Sequence, residues 1–213
     1  MTTLVLASAS PARRATLLAA GVEPVVRVSA VDEDAVVARY DVSEAEDVAL
    51  VLARAKAEDV AAGLEDQALV VGCDSVLELD GEVFGKPGTP ARAVERWRHM
   101  RGKAGVLHTG HWIVDTRDAD DGGTGATLGA VSSTTVHFAD LADDEIEAYV
   151  ATGEPLAVAG AFTVDGLGGA YVAGIEGDHH GVVGISLPLL RELLGEIGVR
   201  WHELWTRTGS SGP

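Results

Sequence analysis

The sequence predicts an α/β protein in which helices flank a mixed β-sheet. Three observations support this fold class. Short apolar runs typical of buried strands alternate with segments of helical periodicity through the first half of the chain. Two long strand-like segments then follow one another, which indicates antiparallel pairing within a partly parallel sheet. Hydrophobic residues make up 46% of the 213-residue chain, enough for a sizeable core.

Local signals predict the elements of the first half. Residues 3–7 are wholly apolar, as in a buried strand. Pro11 can begin a helix over 12–20, because its missing N–H is not needed in the first turn, and Gly21 ends that helix. The elements that follow are a strand at 23–29, an acidic loop at 32–34, a helix at 43–62, a strand at 67–79, an Asp-Gly hairpin turn at 80–81, a return strand at 82–84 and a helix at 89–100.

Capping residues and glycines mark the ends of two helices, and further elements follow in the second half of the chain. Ser43 is expected to cap the helix at 43–62, with Glu46 at the capping-box distance. Asp140 is expected to cap a later helix, and Gly153 to end it. The elements predicted here are strands at 105–116 and 128–138 joined by an acidic, mobile loop at 118–126, a helix at 142–152, glycine-rich turns at 153–184, a helix at 186–194, a last turn at 199–207 and a frayed tail at 206–213.

Charge and cysteine content exclude several classes of protein. With 33 acidic and 16 basic residues the net charge is −17, so long nucleic acid and anionic membranes should be repelled. A small anionic ligand could bind only where the few cations gather in one cleft. Cys73 is the single cysteine, which excludes a disulfide within the chain, and no apolar run reaches the roughly 18 residues of a membrane span. Since the start also lacks a signal-peptide pattern, we expect a cytoplasmic protein without a membrane partner.

The first candidate site follows the first strand. Ser8, Ser10 and Arg13 lie between that strand and the N-terminus of the next helix. Helix N-termini bind phosphate through free N–H groups, and serine hydroxyls with an arginine fork would complete such a site. A capping serine beside surface arginines explains the same residues equally well, so spacing alone leaves both interpretations open.

The second candidate site is Asp74, a carboxylate set inside an apolar strand. Burying a carboxylate is costly unless it is paired or bound to a metal. The alternative is a structural aspartate paired with a buried arginine, and we favour function because aspartate is rarely buried without a partner. Lys86, held between Gly85 and Pro87, is a positioned point charge of the kind that binds phosphate.

Other motifs are less convincing. The Asp-His-His triplet at 178–180 looks like a phosphoesterase metal motif, but companion aspartates are missing and we expect a turn there. Cys73 has no suggestively placed histidine and should be a small buried thiol. Acyl transfer by Ser8 or Ser10 would require a G-x-S-x-G elbow, which is absent. The glycines at 166–169 are not a dinucleotide fingerprint, because no helix follows at the required spacing.

Taken together and in order, these segments resemble the Maf family of nucleoside triphosphate pyrophosphatases. The opening pattern L-A-S-x-S-P-R-R stands here as LASASPAR at 6–13, and D-G-E-x-x-G-K-P is complete at 80–87. The order and spacing of the motifs make the resemblance specific over nearly the whole chain. The remaining matched segments are DE at 32–33, ARAKA at 53–57, GCDSV at 72–76, TG at 109–110, EPLAVAGAFTVDG at 154–166 and the segment 175–187.

This resemblance implies a two-lobed fold related to the inosine triphosphate pyrophosphatases, with a sheet lining a central cleft. Residues 1–205 would form that single domain, and 206–213 a disordered tail. It implies hydrolysis of a nucleoside triphosphate between its α- and β-phosphates, giving the monophosphate and pyrophosphate. It also implies a divalent cation, Mg²⁺ or Mn²⁺, a homodimer in many members, and a house-cleaning role in nucleotide metabolism.

The resemblance further implies roles for individual residues. Asp74 matches the catalytic carboxylate, and Glu33 with Asp74 would hold the metal. An ordinary aspartate is a weak base at neutral pH, but a metal acidifies water, so Asp74 need only orient that water and accept its proton. The positions matched to phosphate binding are Ser8, Ser10, Arg13, Lys56 and Lys86.

Base specificity is expected to depend on Ala12, Ser75 and Asp165. Ala12 replaces the first arginine of the family pattern and Asp165 replaces a glutamine, while Ala-Val at 157–158 replaces Asp-Lys. That arginine and glutamine contribute to specificity in the branch acting on dTTP and UTP, whereas a branch acting on 7-methyl-GTP lacks the arginine and has an acid at the glutamine position. A carboxylate only accepts hydrogen bonds, and guanine offers adjacent N–H donors, so we expect a guanine-type base.

Two other functions stay open at this point. The chain could be a nucleotide sensor that has lost catalysis, although the retained Asp74, Lys86 and Glu33 argue against that. It could also inhibit septum formation through a protein partner, for which the sequence shows no obvious docking segment.

Overall fold

The computed structural model describes residues 2–206, and a mixed β-sheet forms its centre. Within those residues the strands are β1 (Leu4–Leu6), β2 (Val25–Val26), β3 (Leu69–Leu79), β4 (Glu82–Phe84), β5 (Ala104–Asp115), β6 (Thr127–Phe138) and β7 (Val172–Glu176). The helices are α1 (Pro11–Ala19), α2 (Glu33–Tyr40), α3 (Ala45–Ala62), α4 (Pro90–Met100), α5 (Asp143–Ala151), α6 (His179–Val183) and α7 (Leu187–Glu196).

The strand order is β2-β1-β3-β5-β6-β7, with β4 paired to β3 outside this path. The pairs β1–β2 and β1–β3 are parallel, whereas β3, β5, β6 and β7 form an antiparallel series. The longest pairings join β5 to its two neighbours, and the β3–β5 ladder runs from Leu69 opposite Asp115 to Glu78 opposite Val106. The predicted mixed sheet with flanking helices is therefore confirmed.

Three helices begin where the sequence predicts, because capping side chains define their first turns. Ser10, Thr89 and Ser186 each accept a hydrogen bond from the backbone N–H three residues later. Proline follows at the first position of α1 and of α4, where a missing N–H costs nothing. These caps fix the N-termini of α1, α4 and α7.

Helix α3 packs directly against the middle of the sheet. Half of its eight buried residues are alanines, among them Ala49 and Ala53. A Cβ added to Gly72 on β3 would stand 2.2 Å from the carbonyl oxygen of Ala53, and one added to Gly110 on β5 would stand 2.2 Å from that of Ala49. The two glycines therefore allow the helix backbone to approach the strands unusually closely.

Two apolar clusters lie on either side of the midpoint of β3. Val71 and Cys73 belong to the first, which α1 and α7 cover, while Leu77 and Leu79 belong to the second, which α4 and α5 cover. Trp97 is the aromatic centre of the second cluster and makes edge contacts with Phe138, Tyr149 and Tyr171. The step between the clusters falls at residues 74 and 75. The division into two lobes stays a prediction.

Several predicted boundaries were wrong. Residues 32–34 are not a loop, because Asp32 caps α2 and Glu33 is its first residue. Helix α3 begins at Ala45 and has no side-chain cap, so the capping box at Ser43 is not formed. The strand expected at 23–29 is reduced to two residues. Asp140 does not cap α5, whose N-cap position is Ala142.

The glycine-rich stretch 153–184 is more regular than predicted. It contains 3₁₀ segments, the edge strand β7 and the short helix α6. The triplet at 178–180 is not in a turn: Asp178 caps α6 by accepting the N–H groups of His180 and Gly181. Among residues 2–206, no group of three or more His, Cys, Asp and Glu side chains is arranged to hold a metal ion.

The end of the described chain is attached to α1. Trp201–Leu204 forms the predicted last turn as a 3₁₀ segment. Thr206 is followed by the tail expected to fray at 206–213, and its N–H and hydroxyl both donate to the Gly21 carbonyl, at 2.9 and 3.1 Å. The fraying stays a prediction. Residues 207–213 lie outside the described residues.

The mobility expected of the loop at 118–126 stays a prediction. No helix between residues 2 and 206 combines the length and apolarity that a bilayer crossing requires.

Candidate active site

One cavity brings together every residue to which the resemblance assigns a site role. It has a volume of about 470 Å³, within the usual range for small-molecule sites, and it opens beside the midpoint of β3. The predicted residues that line it are Ser8, Ser10, Ala12, Arg13, Glu33, Lys56, Asp74, Ser75, Lys86 and Asp165. Their convergence from distant parts of the chain supports a common site, while the role of each stays a prediction.

Asp74 lies on β3 at the step between the two apolar clusters. It is 6% exposed and pairs across the ladder with Gly110. Among the described residues its carboxylate is bonded to Lys56 alone. The alternative of a structural pair with a buried arginine is therefore wrong, because its partner is a lysine that lines the same cavity.

Lys56 reaches Asp74 because α3 lies so close to the sheet. The lysine is 8% exposed, and its Nζ contacts both Asp74 and Glu33, the latter at 2.6 Å from Oε1. A larger residue at Gly72 or Gly110 would move the helix away and withdraw the ammonium group. The sequence contained this signal as glycines inside apolar strands.

Glu33 extends the ion pair into a chain of alternating charges. Its Oε1 lies 2.6 Å from Lys56 Nζ and 3.5 Å from Lys86 Nζ. Burial alone would raise the pKa of Glu33, but the two lysines outweigh burial and hold that pKa below its ordinary value. Glu33 is therefore charged at neutral pH, and the series Asp74, Lys56, Glu33, Lys86 leads from a buried strand to the exposed rim.

Ser8 and Ser10 form the wall where β1 meets α1. Ser10 Oγ accepts the N–H of Arg13, and the N–H of Ser10 donates to Ser8 Oγ at 3.2 Å. The capping interpretation of Ser10 is thus correct. It does not exclude phosphate binding, because the residues from Ala7 to Arg13 all line the cavity.

Arg13 is not a surface arginine but a brace within the wall. Its Nε donates to the Gly184 carbonyl at 2.7 Å, and its Nη1 donates to Ser8 Oγ at 3.1 Å and to the Cys73 carbonyl at 2.8 Å. A further bond runs from Nη2 to Ser75 Oγ. A guanidinium has five N–H groups, so four bonds to the protein leave little for a phosphate. The sequence did not reveal this bracing role.

Ser75 continues the brace towards α6. The Thr109 hydroxyl donates to the Gly181 carbonyl, so it must accept from the Ser75 hydroxyl, which in turn accepts from Arg13. Arg13 and this hydroxyl chain hold the backbone on both sides of Asp74. The contacts of Ser75 thus orient its neighbour Asp74, and its expected effect on base specificity stays a prediction.

His111 on β5 joins that strand to the N-terminus of α7. It is fully buried, its Nδ1 lies 3.0 Å from the Thr109 carbonyl, and its Nε2 accepts the N–H of Ser186 at 2.8 Å. Burial, together with the nearby Arg13 charge, lowers the pKa of His111 to about 4. The ring is therefore neutral and structural at neutral pH.

Cys73 is a buried thiol, as predicted. Burial raises its pKa to about 11, so the reactive thiolate is scarce at neutral pH. A role as a nucleophile is therefore unsupported.

The far wall of the cavity is apolar and was not predicted as a unit. Asp165, the exposed acidic residue expected to read the base, lines the cavity together with this wall. Its members include Leu107, Ala157, Val158, Ala159, Phe162, Val164 and Val182. In the sequence, this wall was indicated by Ala-Val at 157–158, where the family pattern has the charged pair Asp-Lys. The lining thus combines a charged group, around Asp74, with an apolar group, part of which adjoins the Lys86 loop because the N–H of Gly160 donates to the Gly85 carbonyl.

Comparison with known proteins agrees with the motif order. The family model described as "Maf-like protein" matches residues 3–197. Proteins named "Nucleoside triphosphate pyrophosphatase" are similar over almost their whole length. That of Salinispora tropica is 56% identical over 99% of this chain and 90% of its own, and that of Nocardia farcinica is 56% identical over 95% and 96%. That of Rhodococcus opacus is 53% identical over 98% and 99%.

A solved structure also matches, more distantly. It is a nucleoside-triphosphatase / dITP/XTP pyrophosphatase from Mycobacterium abscessus, 14% identical, with a TM-score of 0.39 over 92% of this chain and 95% of that one. A likeness at that score supports no conclusion, so the fold assignment rests on the sheet and helices described above. The family model covers most of the chain and the relatives exceed half identity. The chain belongs to the Maf family.

Proposed function

We propose that this protein hydrolyses a nucleoside triphosphate to the nucleoside monophosphate and pyrophosphate. The observation that carries the proposal is a single cavity lined both by alternating charges around a buried aspartate and by a group of apolar residues. A nucleotide likewise combines a charged triphosphate with a flat base. The relatives' shared name supports the same reaction.

Cations of the charged group would bind the triphosphate. Lys86 is half exposed at the rim, and Lys56 lies deeper beside Asp74. Lysine acts as a point charge on phosphate oxygens, and its attraction grows as negative charge moves to the leaving group. Ser8 and Ser10 add hydroxyls on the opposite wall. Arg13 contributes chiefly by holding that wall in place.

Asp74 is suited to act on water. Its carboxylate faces the cavity with one ammonium partner, so it can still accept a proton or a hydrogen bond. In the proposed step it orients a water molecule and takes its proton while the water oxygen bonds to the α-phosphorus. The bond from the α-phosphorus to the bridging oxygen breaks, and pyrophosphate leaves beside the lysines.

The residues present fit a divalent cation, Mg²⁺ or Mn²⁺. The carboxylates of Glu33 and Asp74 both contact the ammonium group of Lys56, so they lie close together. Mg²⁺ is commonly held by one or two carboxylates together with substrate phosphates. Such a cation would acidify water and neutralise phosphate charge. Since no larger group of ligating side chains exists among residues 2–206, the substrate would complete the coordination.

Guanine-type nucleotides, including 7-methyl-GTP, form part of the proposal as preferred substrates over dTTP and UTP. Ala12 stands where the family pattern has its first arginine, and the exposed Asp165 offers only acceptors to a base. A homodimer, a cytoplasmic location and a house-cleaning role belong to the same proposal.

Pyrophosphate release tests the proposal directly. Purified protein is incubated with a panel of nucleoside triphosphates, including modified ones, with and without Mg²⁺ or Mn²⁺. We expect equimolar monophosphate and pyrophosphate, cation dependence, and a higher kcat/KM for guanine-type bases. Binding without hydrolysis would instead favour the sensor, and faster turnover of dTTP and UTP would refute the base preference.

A further inference from the structure

Glu154 lies behind the apolar wall of the cavity and is not among the residues that line it. It follows α5 and is the first residue of the 3₁₀ segment Glu154–Ala157. Its carboxylate accepts four hydrogen bonds. Two come from the hydroxyls of Tyr149 and Thr163, and two from the backbone N–H groups of Leu167 and Gly168, both at 3.0 Å.

The loop that donates these bonds is wrapped tightly around the carboxylate. A Cβ at Gly166 would stand 2.7 Å from Glu154 Oε2, and one at Gly168 would stand 2.4 Å from the Tyr149 hydroxyl. Burial would raise the pKa of Glu154, but its donors, with the Thr163 hydroxyl the strongest, hold that pKa below its ordinary value. The loop is therefore organised around a full negative charge.

The same loop supplies the cavity wall. Thr163, Val164 and Asp165 line the cavity, and the loop's next residues, Leu167 and Gly168, bond to Glu154. Asp165 thus lies between two attachments to one carboxylate.

The charged group is built on β1, α2, α3, β3 and the loop that carries Lys86. No hydrogen bond among residues 2–206 joins the Glu154 carboxylate to these elements. The Lys86 loop meets this region through backbone bonds, since the N–H of Gly88 donates to the Leu156 carbonyl.

We infer that Glu154 is a positioning residue for base selection, which fixes the segment carrying Asp165 without taking part at the phosphate end. The inference rests on the proposed function. It separates two properties of the site, since base discrimination would depend on Glu154 while phosphate binding and the chemical step would not.

The test compares Glu154→Gln with wild type. The glutamine amide keeps the size of the side chain. Its NH₂ group, however, would face groups that themselves donate hydrogen bonds to the carboxylate in wild type. KM and kcat are measured for nucleoside triphosphates with different bases, and calorimetry gives the Kd of each nucleotide and of inorganic tripolyphosphate. Glu147→Gln is the control, because Glu147 is an exposed residue of α5 whose side chain is 65% accessible.

We expect Glu154→Gln to raise KM for the preferred nucleotide about tenfold and to narrow the spread of kcat/KM between bases. The kcat and the tripolyphosphate Kd should change less than about twofold. Tyr149→Phe removes one donor and should shift KM in the same direction by a smaller factor. Glu147→Gln should behave as wild type.

A folded Glu154→Gln variant with an unchanged spread between bases overturns the inference, and so does an equal weakening of tripolyphosphate. If that variant does not fold, Tyr149→Phe decides, and an unchanged spread there refutes the inference. Wild-type protein that binds nucleotides but releases no pyrophosphate overturns the proposed function alone, since the Kd values still judge Glu154. Wild-type protein that binds no nucleotide overturns both.

Discussion

Two buried carboxylates on the β3–β5 strand pair have opposite surroundings. Asp115, at the end of β5, is 3% exposed and accepts five hydrogen bonds, three from Arg117 and two from Thr124. Asp74, at the midpoint of β3, is 6% exposed and has Lys56 as its one partner among residues 2–206. Both are costly to bury, but only Asp115 is fully compensated by its own loop.

The difference distinguishes a structural carboxylate from one available for chemistry. Burial would raise the pKa of Asp115, but the bonds from Arg117 and Thr124 outweigh it and lower that pKa to about 2. Its charge stabilises the connection between β5 and β6. Asp74 instead faces a cavity with part of its hydrogen-bonding capacity unused. Incomplete satisfaction beside a cavity is therefore the better indicator of function than burial itself.

Replacing Asp74 should give the largest effect on activity. Asp74→Asn removes the proton acceptor while keeping its shape, so kcat should fall about a hundredfold or more. The midpoint of thermal unfolding should change little, because Lys56 keeps its ion pair with Glu33. Steady-state pyrophosphate release and thermal melting measure the two properties. Asp115→Asn, matched in chemistry and burial, should retain kcat, and a comparable loss there would break the comparison.

The converse substitution should act on stability. Asp115→Asn turns an amide towards Arg117 and removes the carboxylate, whose pKa the bonds from Arg117 and Thr124 lower from 3.8 to about 2. That difference corresponds to about 2 kcal/mol of unfolding free energy. Because the pKa is lowered on folding, this stabilisation is fully present above the unfolded value and is lost as the pH falls from about 4 to 2. Urea unfolding at pH 7 and at acid pH checks both expectations. A variant as stable as wild type at pH 7 would contradict them.

Lys86 should give the smallest effect, and on binding alone. Lys86→Ala removes the outer cation while Lys56 remains, so KM should rise about tenfold with kcat changed less. Stability should be unaffected, since exposed ion pairs contribute little. Lys103→Ala is the control, because Lys103 is an exposed lysine paired with Asp80 away from the cavity. Equal KM values for the two variants would show that Lys86 does not contact the substrate.

Local signals in the sequence predicted most of the fold. Capping serines with prolines placed α1 and α7, and the Asp-Gly turn fixed the β3–β4 hairpin, with Asp80 and Gly81 both at positive φ. Regions stabilised by distant contacts escaped prediction. Strand β7 exists because it pairs with β6, and nothing in its glycine-containing sequence signals a strand. The charge of Glu33 suggested a loop, although acidic residues are favoured in the first turn of a helix.

The residues that line the cavity were predictable from the sequence, but the hydrogen bonds between them were not. Motif order identified Asp74, Lys56 and Glu33 from far-apart segments, and the cavity contains all three. Periodicity could not show that Arg13 donates to the Gly184 and Cys73 carbonyls, because those bonds depend on how separate segments of the chain meet in space. Nor could it show that Gly72 and Gly110 determine how closely the backbone of α3 approaches the sheet.

The most direct test is a crystal structure of Asp74→Asn grown with the nucleoside triphosphate that wild type hydrolyses fastest and its divalent cation. The account predicts the triphosphate between Lys56 and Lys86, the α-phosphorus nearest residue 74, and the base against the wall that carries Asp165. A triphosphate bound outside this cavity, or bound with its base beside the lysines, would contradict it.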